Sequence, residues 1–167
     1  IAVGTPIANR TRRELEPLVG FFANTLVLRT DLSGDPSFSA LVERVRATTL
    51  GAYAHQDLPF EQLVEALQPE RTLGRTPLFQ VLFILQNTPL NTVTIPGLVV
   101  SPLQQAISTA KFDLTLSLEE RDDCLAGVFE YNTDLFERAT IEHMTHHLQT
   151  VLAAIVKDPD TPISRLP

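Results

Sequence analysis

Four histidines, one cysteine and a run of arginines are the side chains of this sequence whose chemistry could reach beyond packing. His143 and His147 stand four apart on a stretch with helical periodicity, a spacing at which two imidazoles can share a metal ion. The glutamate of a zincin motif is missing, and no Cys or Asp is grouped with them. Together with His146 they are therefore expected to form a polar helix face, and no metal ligand is assigned. His55 and Asp57 could act as a base and its orienting carboxylate. They are only two apart at a helix break, where Asp57 is better used as an N-cap. Cys124 has no basic residue after it to activate a thiolate, and reads as part of a turn between strands. Arg10, Arg12 and Arg13 are followed at once by Glu14 and Glu16, as in a solvated loop, the alternative being a phosphate site. No glycine-rich phosphate loop, Ser-His-Asp set or paired-carboxylate cleft is legible.

The composition bounds what these residues could serve. The 167 residues are 44% apolar and 20% charged, which suits one globular domain with its own core. A net charge of −7 opposes binding to nucleic acid or to an anionic membrane surface. A lone cysteine forms no internal disulfide and fits a reducing, cytoplasmic setting. No apolar run approaches the ~20 residues of a membrane span. The opening Ile1-Ala2-Val3-Gly4 reads like the middle of a strand, so the chain is expected to be a piece of a longer protein.

The elements that must position these residues follow from periodicity. Residues 1–7 are apolar and end in a strand tail, and 8–19 form an irregular connection with a short helical turn. Asn24 to Asp31 reads as a buried strand closed by Ser33-Gly34-Asp35-Pro36. Ser37 caps a helix with Phe38, Leu41, Val42, Val45 and Leu50 at helical spacing, running to about Tyr53. Asp57 caps a second helix with Phe60, Leu63, Val64 and Leu67 inward. The run Leu78 to Leu85 reads as a strand buried on both faces, and Leu98 to Gln104 as a further strand. Phe112–Glu119 and Leu125–Tyr131 alternate as an antiparallel hairpin. A last helix runs from about Glu137 to Lys157, and 158–167 reads as the start of a linker. The sum is an α+β domain: a mixed, largely antiparallel sheet of five or six strands with three helices.

Periodicity stops there, but the residues go further. Gly4-Thr5-Pro6-Ile7-Ala8-Asn9-Arg10 and Leu18-Val19-Gly20-Phe21-Phe22-Ala23-Asn24-Thr25-Leu26-Val27-Leu28-Arg29 resemble two consecutive signature motifs of condensation domains from nonribosomal peptide synthetases. His55-Gln56-Asp57-Leu58-Pro59-Phe60-Glu61 resembles a third. Arg71 through Leu78, continuing Phe79-Gln80-Val81, resembles a fourth, with Thr76 where the family usually has Asn. Ala110-Lys111-Phe112-Asp113-Leu114 and Tyr131-Asn132-Thr133-Asp134-Leu135-Phe136 are similar to the family's late strands.

The resemblance implies a chloramphenicol-acetyltransferase-like fold of two lobes, with residues 1–157 as the C-terminal, acceptor-side lobe. It implies amide-bond formation between aminoacyl or peptidyl groups carried on the phosphopantetheine arms of donor and acceptor carrier proteins, with no cofactor bound by the lobe itself. The family's HHxxxDG motif belongs to the N-terminal lobe and is absent here, so the chain is expected to hold no catalytic residue and to be inert alone. Partners implied are the N-terminal lobe, both peptidyl carrier proteins and a downstream adenylation domain. By the same resemblance Arg10 supports catalysis by pairing with the Asp of the missing motif, the alternative being an exposed loop arginine. Asn9, Asn24, Lys111 and Asp113 become candidates for the substrate tunnel, with strand-end capping open for the two asparagines. His55, Gln56, Asp57, Pro59, Phe60 and Glu61 form a structural motif. Phe21 and Phe22 are expected in the core or at the lobe interface. A carrier-docking module without chemistry, or a lobe of an epimerisation or heterocyclisation relative, are the alternatives.

Overall fold

The computed structural model describes residues 1–70, 74–86, 97–98, 109–121 and 124–167. Among these residues the centre is a five-stranded sheet. β1 (Ala2–Ile7) and β2 (Asn24–Arg29) pair antiparallel from Ala2↔Arg29 to Ile7↔Asn24. β3 (Val81–Gln86) lies parallel to β1 at Gly4↔Leu82 and parallel to β4 (Leu114–Arg121) from Val81↔Leu114 to Gln86↔Glu119. β4 turns back antiparallel into β5 (Cys124–Tyr131), giving the order β2-β1-β3-β4-β5. The expected α+β architecture and the hairpin are both present. The sheet is mixed: two of its four junctions are parallel, and the antiparallel ones are local hairpin-like pairings whose hydrogen bonding needs no long crossover.

Among the described residues three α-helices accompany the sheet. α1 (Phe38–Tyr53) begins where Ser37 Oγ accepts the Ala40 N–H at 3.3 Å, so the expected N-cap is present. α1 and the short α2 (Phe60–Leu67) both lie against β2. α3 (Arg138–Lys157) buries Ile141 and Ile155, about four turns apart on one stripe. Between β1 and β2 runs a single 3-10 turn, Arg13–Leu15, matching the irregular connection read from the sequence.

The core is organised around Phe79, which is 1% exposed. Phe79 N–H donates to Pro77 O at 3.0 Å across Leu78, whose φ of 71° places it in the left-handed region. An i→i+2 bond around such a residue is a strained γ-type turn, and here it delivers the aromatic ring inward ahead of β3. Phe60 meets that ring edge-on at 5.7 Å and Phe112 stacks on it at 5.3 Å. Gly4 completes the packing, because a Cβ there would run into the Phe79 ring.

Several expectations change in the folded chain. The apolar run 78–85 is not buried on both faces: Leu82 is buried, whereas Leu85 is 53% exposed and Val81 is exposed with it. Uniform hydrophobicity concealed the two-residue alternation that the sheet uses. Val42, Val45, Leu50 and Leu67, read as inward, are also exposed. The strand expected over 98–104 falls, beyond Leu98, outside the described residues. So do Arg71, Thr72 and Leu73 of the fourth motif. The tail 158–167, read as the start of a linker, is held against the segment that opens α1.

Candidate functional site

The signature stretches converge because one asparagine side chain binds two of them together. Asn24 opens β2, and its Nδ2 donates to the carbonyls of Gln56 and Leu58, each at 2.8 Å. Its Oδ1 accepts from Phe60 N–H at 3.1 Å and from Thr25 N–H at 2.9 Å. Phe60 is the first residue of α2, whose N-cap position is Pro59, without a side-chain cap of its own. Asn24 thus performs, from a strand 36 residues earlier in sequence, the capping expected of Asp57. That expectation is corrected. Asp57 is exposed, and the loop is instead held through its backbone, where an amide offering two donors and an acceptor has an advantage over a carboxylate.

Arg10 gathers a second loop. Its Nη1 donates to Leu15 O and, at 3.4 Å, to Glu16 O; Nη2 reaches Gly20 O at 3.5 Å. The guanidinium carbon lies 4.2 Å from the centre of the Phe22 ring, a cation–π stack. Arg10 is therefore not a free loop arginine. It ties residues 15–20 to the start of the second motif, and among the described residues it pairs with no carboxylate. Asn9 precedes it with φ 51°, a left-handed conformation that asparagine tolerates better than most residues, and its Oδ1 is buried with no hydrogen-bond partner among the described residues.

Part of the first three signature stretches lines an open depression of about 350 Å³. Asn9 and Asn24 line it, with Phe22, Asp57, Phe60 and Glu61 among its other walls. Pro59 contributes to the wall, whereas His55 lies exposed on the approach to the loop and Gln56 presents its carbonyl to Asn24. Phe22 is half-buried, as expected of packing. Phe21 lines the depression and is 92% exposed, so it is not in the core of this chain.

Lys111 and Asp113 are not brought to this place. They flank the start of β4, with Lys111 exposed and the Asp113 carbonyl accepting Asn132 N–H at 3.0 Å. Phe112 between them enters the core against Phe79. Phe79, Phe112 and Gly4 are the residues whose joint role the sequence reading missed. The available signal was one phenylalanine in each of the third, fourth and late motifs. His143, His146 and His147 are exposed on α3, and Cys124 is exposed at the start of β5. Among the described residues no three His, Cys, Asp or Glu side chains gather to hold a metal, and no helix is long and apolar enough to cross a membrane.

Comparison with known proteins follows the same motifs. The condensation domain family model matches residues 1–167, the whole chain. A linear gramicidin synthase polypeptide of Brevibacillus parabrevis is 55% identical over 168 residues, covering 99% of this chain and 2% of that protein. Among solved structures, the X-domain from teicoplanin biosynthesis, in its complex with OxyB, superposes with a TM-score of 0.87 at 31% identity, over 100% of this chain and 37% of that one. The four-domain nonribosomal peptide synthetase AB3403, solved in its holo form with AMP and glycine, gives 0.88 at 28% identity, over 99% of this chain and 14% of that one. The chain therefore spans a small part of each relative. Its full-length family match and its shared architecture agree: this chain belongs to the condensation domain family of nonribosomal peptide synthetases.

Proposed function

We propose that residues 1–157 are the C-terminal, acceptor-side lobe of a condensation domain that joins carrier-bound aminoacyl or peptidyl thioesters, with 158–167 leading toward an adenylation domain. The observation that carries this reading is the depression that Asn9, residues 21–25 of the second signature stretch and Asp57, Pro59, Phe60 and Glu61 of the third line together, with Asn24 binding the two stretches. The partners are the N-terminal lobe and the two peptidyl carrier proteins, in the cytoplasm. In the reaction the acceptor's α-amine attacks the donor thioester carbonyl. A C–N bond forms, the C–S bond breaks, and the amine's proton goes to the departing phosphopantetheine thiolate.

This chain carries no HHxxxDG, so its residues position the chemistry and leave proton handling to the N-terminal lobe. Arg10 makes two hydrogen bonds from Nη1 and one from Nη2 within the lobe, which leaves Nε–H and the second Nη2 hydrogen for the carboxylate of that motif across the boundary. Asn24 has both of its amide hydrogens committed to loop carbonyls. Its role is to fix the loop, and Asn9 is the better candidate for a tunnel contact. Lys111 and Asp113 remain candidates for a part of the tunnel outside the depression.

The test joins the chain to a condensation-domain N-terminal lobe and supplies aminoacyl-loaded donor and acceptor carriers. Amide product from the joined protein, and none from the chain alone, is expected. A second reading has support in the X-domain relative, which was solved in complex with OxyB: a docking module without chemistry. Carrier binding with no product from the joined protein would favour that reading.

A further inference from the structure

We infer that residues 158–167 form a strap that closes the turn between β2 and α1, with the Asp35–Ser164 pair as its buckle. The Asp35 carboxylate accepts Ser164 N–H at 2.9 Å and Ser164 Oγ–H at 2.7 Å, across 129 residues of sequence. The strap continues away from the buckle. Ile163 N–H donates to Pro36 O at 3.0 Å, and Ser37 and Pro162 form an isolated antiparallel bridge. Ser39 N–H reaches Pro159 O at 3.0 Å, with Ser39 Oγ on the same oxygen at 3.2 Å. The contacts thus run in opposite order along the two segments, as in a short added strand that ends at the first turn of α1.

The receiving turn is shaped for this. Asp35 has φ 48° and follows Gly34 at φ 78°, so two consecutive residues occupy the left-handed region. Glycine takes that conformation freely, whereas Asp holds it at a cost. The side-chain contact offsets the cost, since Asp35 receives both Ser164 donors. The same donors hold the Asp35 carboxyl below its ordinary value. On the tail, Asp158 and Thr161 form their own turn, Thr161 Oγ donating to the Asp158 carboxylate at 2.8 Å, which shapes the strap between its two ends. Pro159 and Pro162 stiffen the segment, so docking it loses less chain entropy than a flexible linker would. The strap meets the N-terminal end of α1, whereas the depression lies beyond its C-terminal end, so the device is separate from the candidate site.

The test is amide exchange on the whole chain, compared among wild type, Asp35→Ala, Ser164→Ala and the control Asp31→Ala. Asp31 makes a comparable local bond to Ser33 but does not touch the tail. Both buckle variants are expected to speed exchange at Ile163, Ser164 and Ser39 together, by roughly threefold to tenfold for an exposed charged hydrogen bond. Tryptic cleavage after Arg165 should accelerate in parallel, with the β4–β5 hairpin unchanged and the Asp31 variant like wild type at the tail. Faster exchange at Ser164 alone, with Ser39 protected, would show that the segment does not act as one strap. No change in either buckle variant would overturn the inference.

Discussion

Asn24 Oδ1 lies 3.1 Å from the backbone nitrogen of Phe60, so the first residue of strand β2 caps helix α2. The same side chain donates to Gln56 and Leu58. One amide therefore fixes the loop that carries the third signature motif, and removing it leaves two carbonyls and two N–H groups to find other partners. Asn24→Ala is expected to destabilise the chain by about 1–3 kcal/mol, the combined scale of a lost cap and partly buried unsatisfied groups. Asn24→Asp keeps the acceptor for Phe60 and loses both donors, and should fall between. Urea unfolding of the three proteins checks the order.

Gly4 is required by contact and not by backbone freedom, since its missing Cβ is what admits the Phe79 ring. Gly4→Ala should cost about 1–3 kcal/mol through overpacking. Phe79→Leu in the same chain should recover part of that loss, although Phe79→Leu alone destabilises. Additive losses in the double variant would show that the two sites do not share this contact.

Arg10 acts on the 15–20 loop through a fork of donors and a stacked aromatic face. Lysine has neither the planar fork nor the same stacking, so Arg10→Lys should resemble Arg10→Ala. Both are expected to raise amide exchange at Leu18, whose N–H donates to Leu15 O at 3.3 Å. In a joined two-lobe protein both should also lower the rate of amide formation. Full activity in Arg10→Ala would remove the supporting role.

Protonation should loosen the tail at acid pH. Ser164 lowers the Asp35 carboxyl below its ordinary value of 3.8, chiefly through its hydroxyl and then its N–H. The folded state thus holds the charged form more tightly than the unfolded chain does. Its contribution is present above the ordinary value and is lost as pH falls through the lower, folded one. Tail exchange followed from about pH 6 downward and corrected for its intrinsic rates should stay protected until below 3.8 and then rise. In Asp35→Asn that acid step should disappear.

Much of the architecture was legible locally. Ser37 before a helical apolar pattern marked the start of α1, and strict alternation over Phe112–Glu119 and Leu125–Tyr131 marked the β4–β5 hairpin. Both signals are short-range: a cap acts three residues away, and a hairpin register is set by its turn. The signature stretches likewise identified the family without knowledge of where they meet.

The tertiary structure decided the long-range partners. A sequence shows that Asp57 precedes a helix and is able to cap it; only the fold shows that Asn24 arrives from β2 and takes the Phe60 N–H first. Three phenylalanines in separate motifs carry no mark that they share one core, until a strained turn at Leu78 places Phe79 between Phe60 and Phe112. A polar tail carries no mark of its docking partner until Ser164 finds Asp35, 129 residues away. The residue types fixed what each side chain could donate, accept or bury. Which of the competing partners it met depended on the sheet order β2-β1-β3-β4-β5, because chain connectivity brings distant groups within hydrogen-bond range only after the strands have paired.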